Sequence, residues 1–388
     1  MSHIVRFSIN GLAGRTDIYA RELHRDLNVF FGFNGTGKTS LLKILHSALS
    51  GNAAMLARVP FTRAEVTIYS LHYKCEFTAV IAKPSKQGGH SSRRRGRKTH
   101  REVALGPELF ELEEDGLKWL YQTPLPKDAP PRWQDTYLPT WRLQPEEPQF
   151  HRYAIDPRVR AEEYDWDEFF ARSLEQLWNA YSTQLLSALQ RIQSEGLVGI
   201  LQSIMKAEST TSRRAKFDAD LAFDRVRAFL KRQGAAGMIE SKERFERRYN
   251  EDEQLRRVVD NINSIEQKVE ETKSARNSLQ RLIANMFIGT KRVVFDDTKI
   301  RVLSDNNAEI PLASLSSGEK QAMLIFIDTL LAAESSLLID EPEISLHVDW
   351  QRRLVSDMRL LNPETQIILA THSPEIMADI ADEKIFRL

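Results

Sequence analysis

Three short stretches near the start of the chain, IVRFSIN, TDIYAREL and LNVFFGFN, alternate polar and apolar positions with the period of two expected of β-strands. The last runs straight into a Gly-rich loop. The stretch that follows, TSLLKILHSAL, changes period: Leu41, Leu42, Leu45 and Leu49 recur at helical spacing, and Gly51 ends the run. Residues 61–81 predict two more strands, and the Pro-rich 107–150 predicts irregular chain around one strand, DTYLPTWRL.

From about 160 the apolar positions fall three and four apart and Pro disappears, which predicts helices there, over 217–232 and over 240–287. The last is the most regular. Leu255, Val258, Ile262, Ile265, Val269, Leu279, Ile283 and Met286 nearly follow a heptad, with Thr272 and Arg276 interrupting the seam. Read as one helix it predicts an arm on the order of 65 Å long. Alternation returns from 291. LLID and IILA are continuous apolar runs ending in polar residues, as suits strands buried on both faces of a helix-covered sheet. The pattern is thus an α/β domain split in two by inserted helices: lobe I over 1–155, a helical insertion over 156–288 and lobe II over 289–388.

Composition narrows this picture rather than changing it. The 388 residues are 41% hydrophobic and 28% charged, with a formal net charge of zero. No global field draws the chain to nucleic acid or membrane, so any such surface is local. One local surface is the segment 83–102, rich in Lys and Arg and almost free of large apolar residues. It reads either as a solvated hairpin tip or as a contact for nucleic acid through Arg93, Arg94, Arg95 and Arg97. The single cysteine, Cys75, excludes a disulfide within the chain and a cysteine-built zinc cluster. The opening residues lack the layout of a signal peptide, and AMLIFIDTLLAA is too short to span a bilayer, so the expectation is a cytoplasmic protein.

Three motifs carry chemistry. Residues Gly32-Phe33-Asn34-Gly35-Thr36-Gly37-Lys38-Thr39, followed by Ser40, fit G-x-x-x-x-G-K-[ST]. Its glycines let backbone N–H groups wrap phosphates, Lys38 reaches the β- and γ-phosphates, and the Thr39 hydroxyl ligates Mg²⁺. LLIDEP supplies Asp340 at a strand end, where it can hold Mg²⁺. Glu341 beside it is placed to orient or deprotonate an attacking water. In ATHSPE, His372 follows another buried strand. A Ser/Gly-rich turn before a helix, SLSSGEKQA at 314–322, adds a second phosphate-type helix start, with neither a Lys at the phosphate position nor a carboxylate for Mg²⁺.

In this order the motifs resemble the ABC-type ATPases, and more closely the soluble branch of RecF, the SMC-like repair ATPases and the OLD-family ATPases of anti-phage systems. LSSGEKQ is similar to that branch's signature motif, and IDEPEISLHVDWQ and IILATHSPEIM resemble the OLD-type pattern. The resemblance covers about 1–80 and 290–388. It implies an α/β ABC-ATPase head formed from N- and C-terminal lobes, with an inserted helical or short coiled-coil domain, ATP and Mg²⁺ as cofactors, and catalytic roles for Lys38, Glu341 and His372. It also implies that Ser316, Ser317, Gly318 and Glu319 close over ATP held by another copy of the chain, and that Ser345, Leu346 and His347 stand on the loop that crosses between subunits. A Gln that senses the metal is expected after a lobe-I strand. Gln144 is the candidate, with Arg142 an equal alternative.

Two functions fit this reading best. One is a homo-oligomeric ATPase of anti-phage defence, of the Septu or PARIS type, working with a separate nuclease. The sequence stops after the last ATPase strand and leaves no acidic cluster for two-metal nuclease chemistry. The other is a RecF- or SMC-like repair ATPase that clamps DNA. A transporter ATPase fits poorly, because some 270 residues separate the Gly-rich loop from the signature.

Overall fold

The structure is a computed structural model. It describes residues 2–83, 117–122, 126, 133, 135–139, 166–205, 219–232, 234, 237, 241–287 and 291–388. The basic residues Arg93, Arg94, Arg95 and Arg97, and the candidates Arg142 and Gln144, lie outside the described residues.

In chain order the first elements are β1 (Ser2–Asn10), β2 (Ile18–Glu22), β3 (Leu27–Phe31), α1 (Lys38–Ser50), β4 (Arg63–Ser70), β5 (Cys75–Ala82), β6 (Leu120–Tyr121) and β7 (Asp135–Leu138). Helices α2 (Trp166–Met205), α3 (Ala219–Arg232), α4 (Lys242–Glu251) and α5 (Glu253–Met286) follow, then β8 (Lys291–Phe295), β9 (Ile300–Ser304) and β10 (Glu309–Ile310). The chain closes with α6 (Ser317–Leu331), β11 (Ser336–Asp340), α7 (Val348–Leu361), β12 (Gln366–Thr371), α8 (Pro374–Met377) and β13 (Ile385–Arg387). Contacts divide it into two units, 1–173 with 311–388, and 174–310.

The first unit holds two sheets. One is antiparallel, in the order β2-β1-β4-β5-β6. The other is wholly parallel, in the order β13-β3-β12-β11-β7, and so joins strands from the two ends of the chain. Every residue of β11 and β12 is buried, as their unbroken apolar runs predict. Helix α1 buries Leu41, Leu42, Ile44, Leu45 and Leu49 completely. They share one core with Ile4, Val66 and Ile68 of the antiparallel sheet and Leu338, Ile368 and Ala370 of the parallel one. The helix that opens at the Gly-rich loop is therefore wedged between two sheets, and its N-terminus cannot drift.

A buried amide stitches the same unit together. Gln366 Oε1 accepts from Ile4 N (2.9 Å) and Ser336 Oγ (2.7 Å), while its Nε2 donates to Ile4 O (2.7 Å) and His24 O (2.9 Å). With donors and acceptor satisfied, this polar group fixes relative sheet position at little desolvation cost.

The second unit combines α-helices with the β10-β9-β8 sheet. Phe229, Ile262 and Ile265 form a core joined by Ile192 and Ile200, so α2, α3 and α5 pack together. Here the expectation of one helix over 240–287 is overturned. The helix breaks at Asp252, whose backbone is extended (φ −103°, ψ 109°) and whose carboxylate caps α5 by accepting from Gln254 N and Leu255 N. Helix α4 packs back, with Phe245 and Tyr249 in one cluster with Phe223 and Val259. The cap outweighs the continuing apolar period because it satisfies two orphan N–H groups at once. What remains of the arm is α5, 34 residues and on the order of 50 Å.

Candidate functional site

The parallel register brings the motifs together. Asp340, the last residue of β11, pairs with Ala370 of β12, and Thr371, the last of β12, pairs with Phe31, the last of β3. Three neighbouring strands thus end level, at the carboxyl edge where open α/β sheets bind ligands. The chain leaving β3 is the Gly-rich loop, that leaving β11 is Glu341, and that leaving β12 is His372.

The Gly-rich loop is shaped by backbone conformation. Gly35 and Gly37 adopt φ of 84° and 103°, and a Cβ on Gly37 would stand 2.8 Å from Ala13 Cβ. Helix α1 begins with Gly37 as its N-cap and no side-chain cap; its first return bond is Leu41 N to Gly37 O at 2.8 Å. The N–H groups of Lys38, Thr39 and Ser40 therefore have no intrahelical acceptor, and they stand at the positive end of the helix dipole. Lys38 is buried, and its amine donates to Gly32 O (2.7 Å) and Phe33 O (3.1 Å), which holds the cation over the loop. Asn34, Gly35 and Thr39 are exposed, and Thr36 donates its hydroxyl to Phe33 O (2.9 Å).

The carboxylates lie close by. Thr39 Oγ1 donates to Asp340 Oδ2 at 2.6 Å, and Asp340 is almost fully buried. Two hard oxygen donors from distant parts of the chain so meet at the start of α1. Glu341 takes a left-handed conformation (φ 47°) held by Glu341 N donating to Ala370 O (2.7 Å), a strained geometry for a non-glycine residue. A cavity of about 540 Å³ opens between Asn34, Glu341, His372 and Ser345.

Glu343, which the motif reading did not single out, organises this side. Its Oε1 accepts from Thr371 Oγ1 (2.7 Å), His372 N (2.8 Å) and Ser373 N (3.2 Å), and lies 3.0 Å from His372 Nδ1. Glu341 Oε1 is 3.8 Å from the same nitrogen. The signal in the sequence was the second acid of EPE, but its partner lies 29 residues on and only the β11–β12 pairing brings them together.

The signature turn is built differently. Helix α6 has Ser316 as N-cap in a full capping box: Ser316 Oγ accepts from Glu319 N (3.3 Å) and Glu319 Oε2 accepts from Ser316 N (2.8 Å). Ser316 and Ser317 are exposed and Gly318 is buried. A Cβ on Gly318 would fall 2.3 Å from Ser345 O, so the glycine is what lets the 343–347 loop lie against α6. Gln321 Nε2 donates to Pro342 O (2.9 Å), tying α6 to the turn after Asp340. In that loop Ser345 is exposed with φ 66°, Leu346 is buried, and His347 caps α7 by accepting from Asp349 N (3.3 Å). Lys320 pairs with Asp167 in the first turn of α2.

A parallel sheet whose adjacent strands end in a Gly-rich phosphate loop, an Asp-Glu pair and a His defines a P-loop, ABC-like nucleotide-binding core. The chain belongs to the sequence family described as "AAA domain, putative AbiEii toxin, Type IV TA system", which matches residues 27–378. Membership implies nucleotide binding. Among curated proteins, the chain is 33% identical over 93 residues to the "Retron Vc95 probable ATPase" of Vibrio cholerae serotype O1 biovar El Tor, covering 21% of this chain and 18% of that protein. It is 29% identical over 110 residues to "Septu protein PtuA" of Bacillus thuringiensis, covering 24% and 28%. The matched segments thus span less than a third of these relatives' own length. Among solved structures, an Smc head domain from Pyrococcus furiosus aligns over 97% of this chain and 92% of its own, with a TM-score of 0.44 and 12% identity. Among the described residues no helix is long and apolar enough to cross a membrane.

Proposed function

We propose that this chain is an ATP-binding and ATP-hydrolysing subunit of a bacterial anti-phage defence system, acting as a homo-oligomeric switch on a separate nuclease. The observation that carries the ATPase reading is the level ending of β3, β11 and β12, which gathers the Gly32–Thr39 loop, Asp340, Glu341 and His372. The defence reading draws on the retron and Septu names of the relatives.

The residues fit the groups the family implies. The uncapped start of α1 and the positive-φ glycines form an anion cradle, with Lys38 as its fixed cation. The Thr39 hydroxyl and the Asp340 carboxylate form an oxygen donor pair suited to Mg²⁺. A bound Mg²⁺ supplies charge neutralisation between phosphate oxygens. The chain's own part is to hold: Lys38 binds phosphate, Glu341 accepts a proton from water or orients it, and His372 offers an imidazole nitrogen to the cavity. Ser316, Ser317, Gly318 and Glu319 form the half-site that closes over nucleotide on another copy.

Nucleotide binding and hydrolysis by three purified proteins test the ATPase reading. Lys38→Ala loses measurable ATP binding. Glu341→Gln binds ATP as the wild type does and hydrolyses it roughly 100-fold or more slowly. Normal hydrolysis by Glu341→Gln removes Glu341 as the base. Co-purification with the product of the neighbouring gene, and protection of cells against phage, test the defence role. Loss of protection in both variants is expected, and protection indifferent to Lys38→Ala overturns the switch.

A further inference from the structure

We propose that Glu343 is a positioning residue that holds the His372 imidazole in its Nδ1–H tautomer and so turns Nε2, as an acceptor, toward the cavity. This rests on the ATPase reading above and deepens it, since the ring it orients is the one that reading places beside the nucleotide.

The geometry is that of a carboxylate–histidine pair. Glu343 Oε1 lies 3.0 Å from His372 Nδ1, and an anionic oxygen that close to a ring nitrogen favours the proton on that nitrogen, which would leave Nε2 as the acceptor of the neutral imidazole. Glu343 is itself immobilised before it acts. Only 6% of it is exposed, and the same Oε1 takes Thr371 Oγ1 and the backbone N–H groups of His372 and Ser373. One oxygen atom therefore fixes both the backbone that carries the ring and the ring. Gln351 extends the hold: its Nε2 donates to Leu346 O (3.0 Å) and Glu343 O (3.3 Å), and its Oε1 accepts from Ser373 Oγ (2.8 Å).

A second observation separates this from a plain structural staple. Glu343 Oε2 is buried without a hydrogen-bond partner, although the residue lines the cavity shared by Glu341 and His372. A buried carboxylate oxygen with no donor opposes folding. The bonds this carboxylate does make all converge through Oε1 on the His372 side. An exposed ring, 48% accessible, that still meets a buried carboxylate has its orientation set from beneath and its far edge left open.

The test is made on the nucleotide-free protein. The full chain is labelled with ¹⁵N-histidine and the two ring nitrogens of His372 are read by long-range proton–nitrogen correlation in alkaline buffer, the signal assigned by its loss in His372→Gln. The wild type shows pyrrole-type Nδ1 and pyridine-type Nε2. Glu343→Ala inverts this toward the Nε2–H tautomer, and Glu343→Gln, whose amide oxygen still accepts, retains it. Alongside, Glu343→Ala lowers kcat roughly 10- to 100-fold with KM little changed, and Glu343→Gln recovers most of the loss. If Glu343→Ala does not fold, the wild-type spectrum decides. An Nε2–H wild type, or a tautomer unmoved in folded Glu343→Ala, overturns the proposal. Binding of a fluorescent ATP analogue to the same samples keeps the two ideas apart. Binding with the Nε2–H tautomer sinks the positioning role alone, whereas the Nδ1–H tautomer without binding sinks the ATPase reading alone.

Discussion

The two phosphate-type helix starts, α1 and α6, share a Ser/Thr/Gly-rich approach and differ in what they do with their own N–H groups. Helix α1 starts at Gly37 with no side-chain cap. Helix α6 starts with a reciprocal capping box between Ser316 and Glu319. An uncapped end leaves backbone donors for a ligand, and a capped one has supplied its own acceptor. The open end also carries the buried cation, Lys38, and the Thr39–Asp340 oxygen pair. The closed end carries exposed Ser316 and Ser317, and a glycine packed against a backbone carbonyl. The contrast supports the proposal that nucleotide binds within one subunit at α1 and that α6 acts on nucleotide held by another copy.

The sharpest way to break that contrast is Ser317→Arg. The side chain is exposed, so folding and ATP binding stay at wild-type levels, while under the proposed closure of two copies a bulky cation at this turn lowers hydrolysis roughly 100-fold. Titration of ATP affinity and steady-state turnover on the same protein check this. A loss of affinity comparable to that of Lys38→Ala would place α6 in the primary site and end the comparison.

The comparison was half legible in the sequence. The Gly32–Thr39 spacing, the Asp340-Glu341 pair and His372 could each be found because their chemistry demands those residue types directly after a strand. The lack of a Lys at the phosphate position of 314–322, whose one Lys is Lys320 in the helix that follows, already pointed to a partial site in the second turn. The capping box was also written there, as Ser316 and Glu319 three apart, yet a signature motif and a capping box use the same letters and only hydrogen-bond geometry separates them. Glu343 and Gln366 were not legible, because each acts on partners that sheet pairing, not sequence proximity, brings within reach. The break at Asp252 illustrates the opposite failure. The cap signal was local and present, and the long apolar period around it was the more conspicuous pattern.

Gly318→Ala tests the closed end more gently. The added methyl would meet Ser345 O at 2.3 Å, and backbone cannot yield as a flexible side chain does. The expected cost is about 1–3 kcal/mol of stability. It comes with a displaced 343–347 loop and a roughly tenfold loss of turnover, since Glu343 on that loop holds His372. Thermal melts read the first and turnover the second. A variant as stable and as active as the wild type would show that the α6–loop contact is not a constraint.

The smallest effect is the most direct probe of the capping box. Ser316→Ala removes the oxygen that accepts from Glu319 N and leaves that donor to water. Loss of an N-cap hydroxyl costs about 1 kcal/mol, or roughly 2–4 °C in Tm for a domain of this order. The informative quantity is how ATP then moves the melt. A ligand that binds only the native state raises Tm by an amount that grows with the logarithm of its concentration over Kd. If α1 alone receives nucleotide within one subunit, dilute wild type and dilute Ser316→Ala gain the same increment from ATP, on baselines a few degrees apart, and Lys38→Ala gains none. An increment that shrinks in Ser316→Ala means that the capped end had opened to the same nucleotide, and the division of labour between the two helix starts fails.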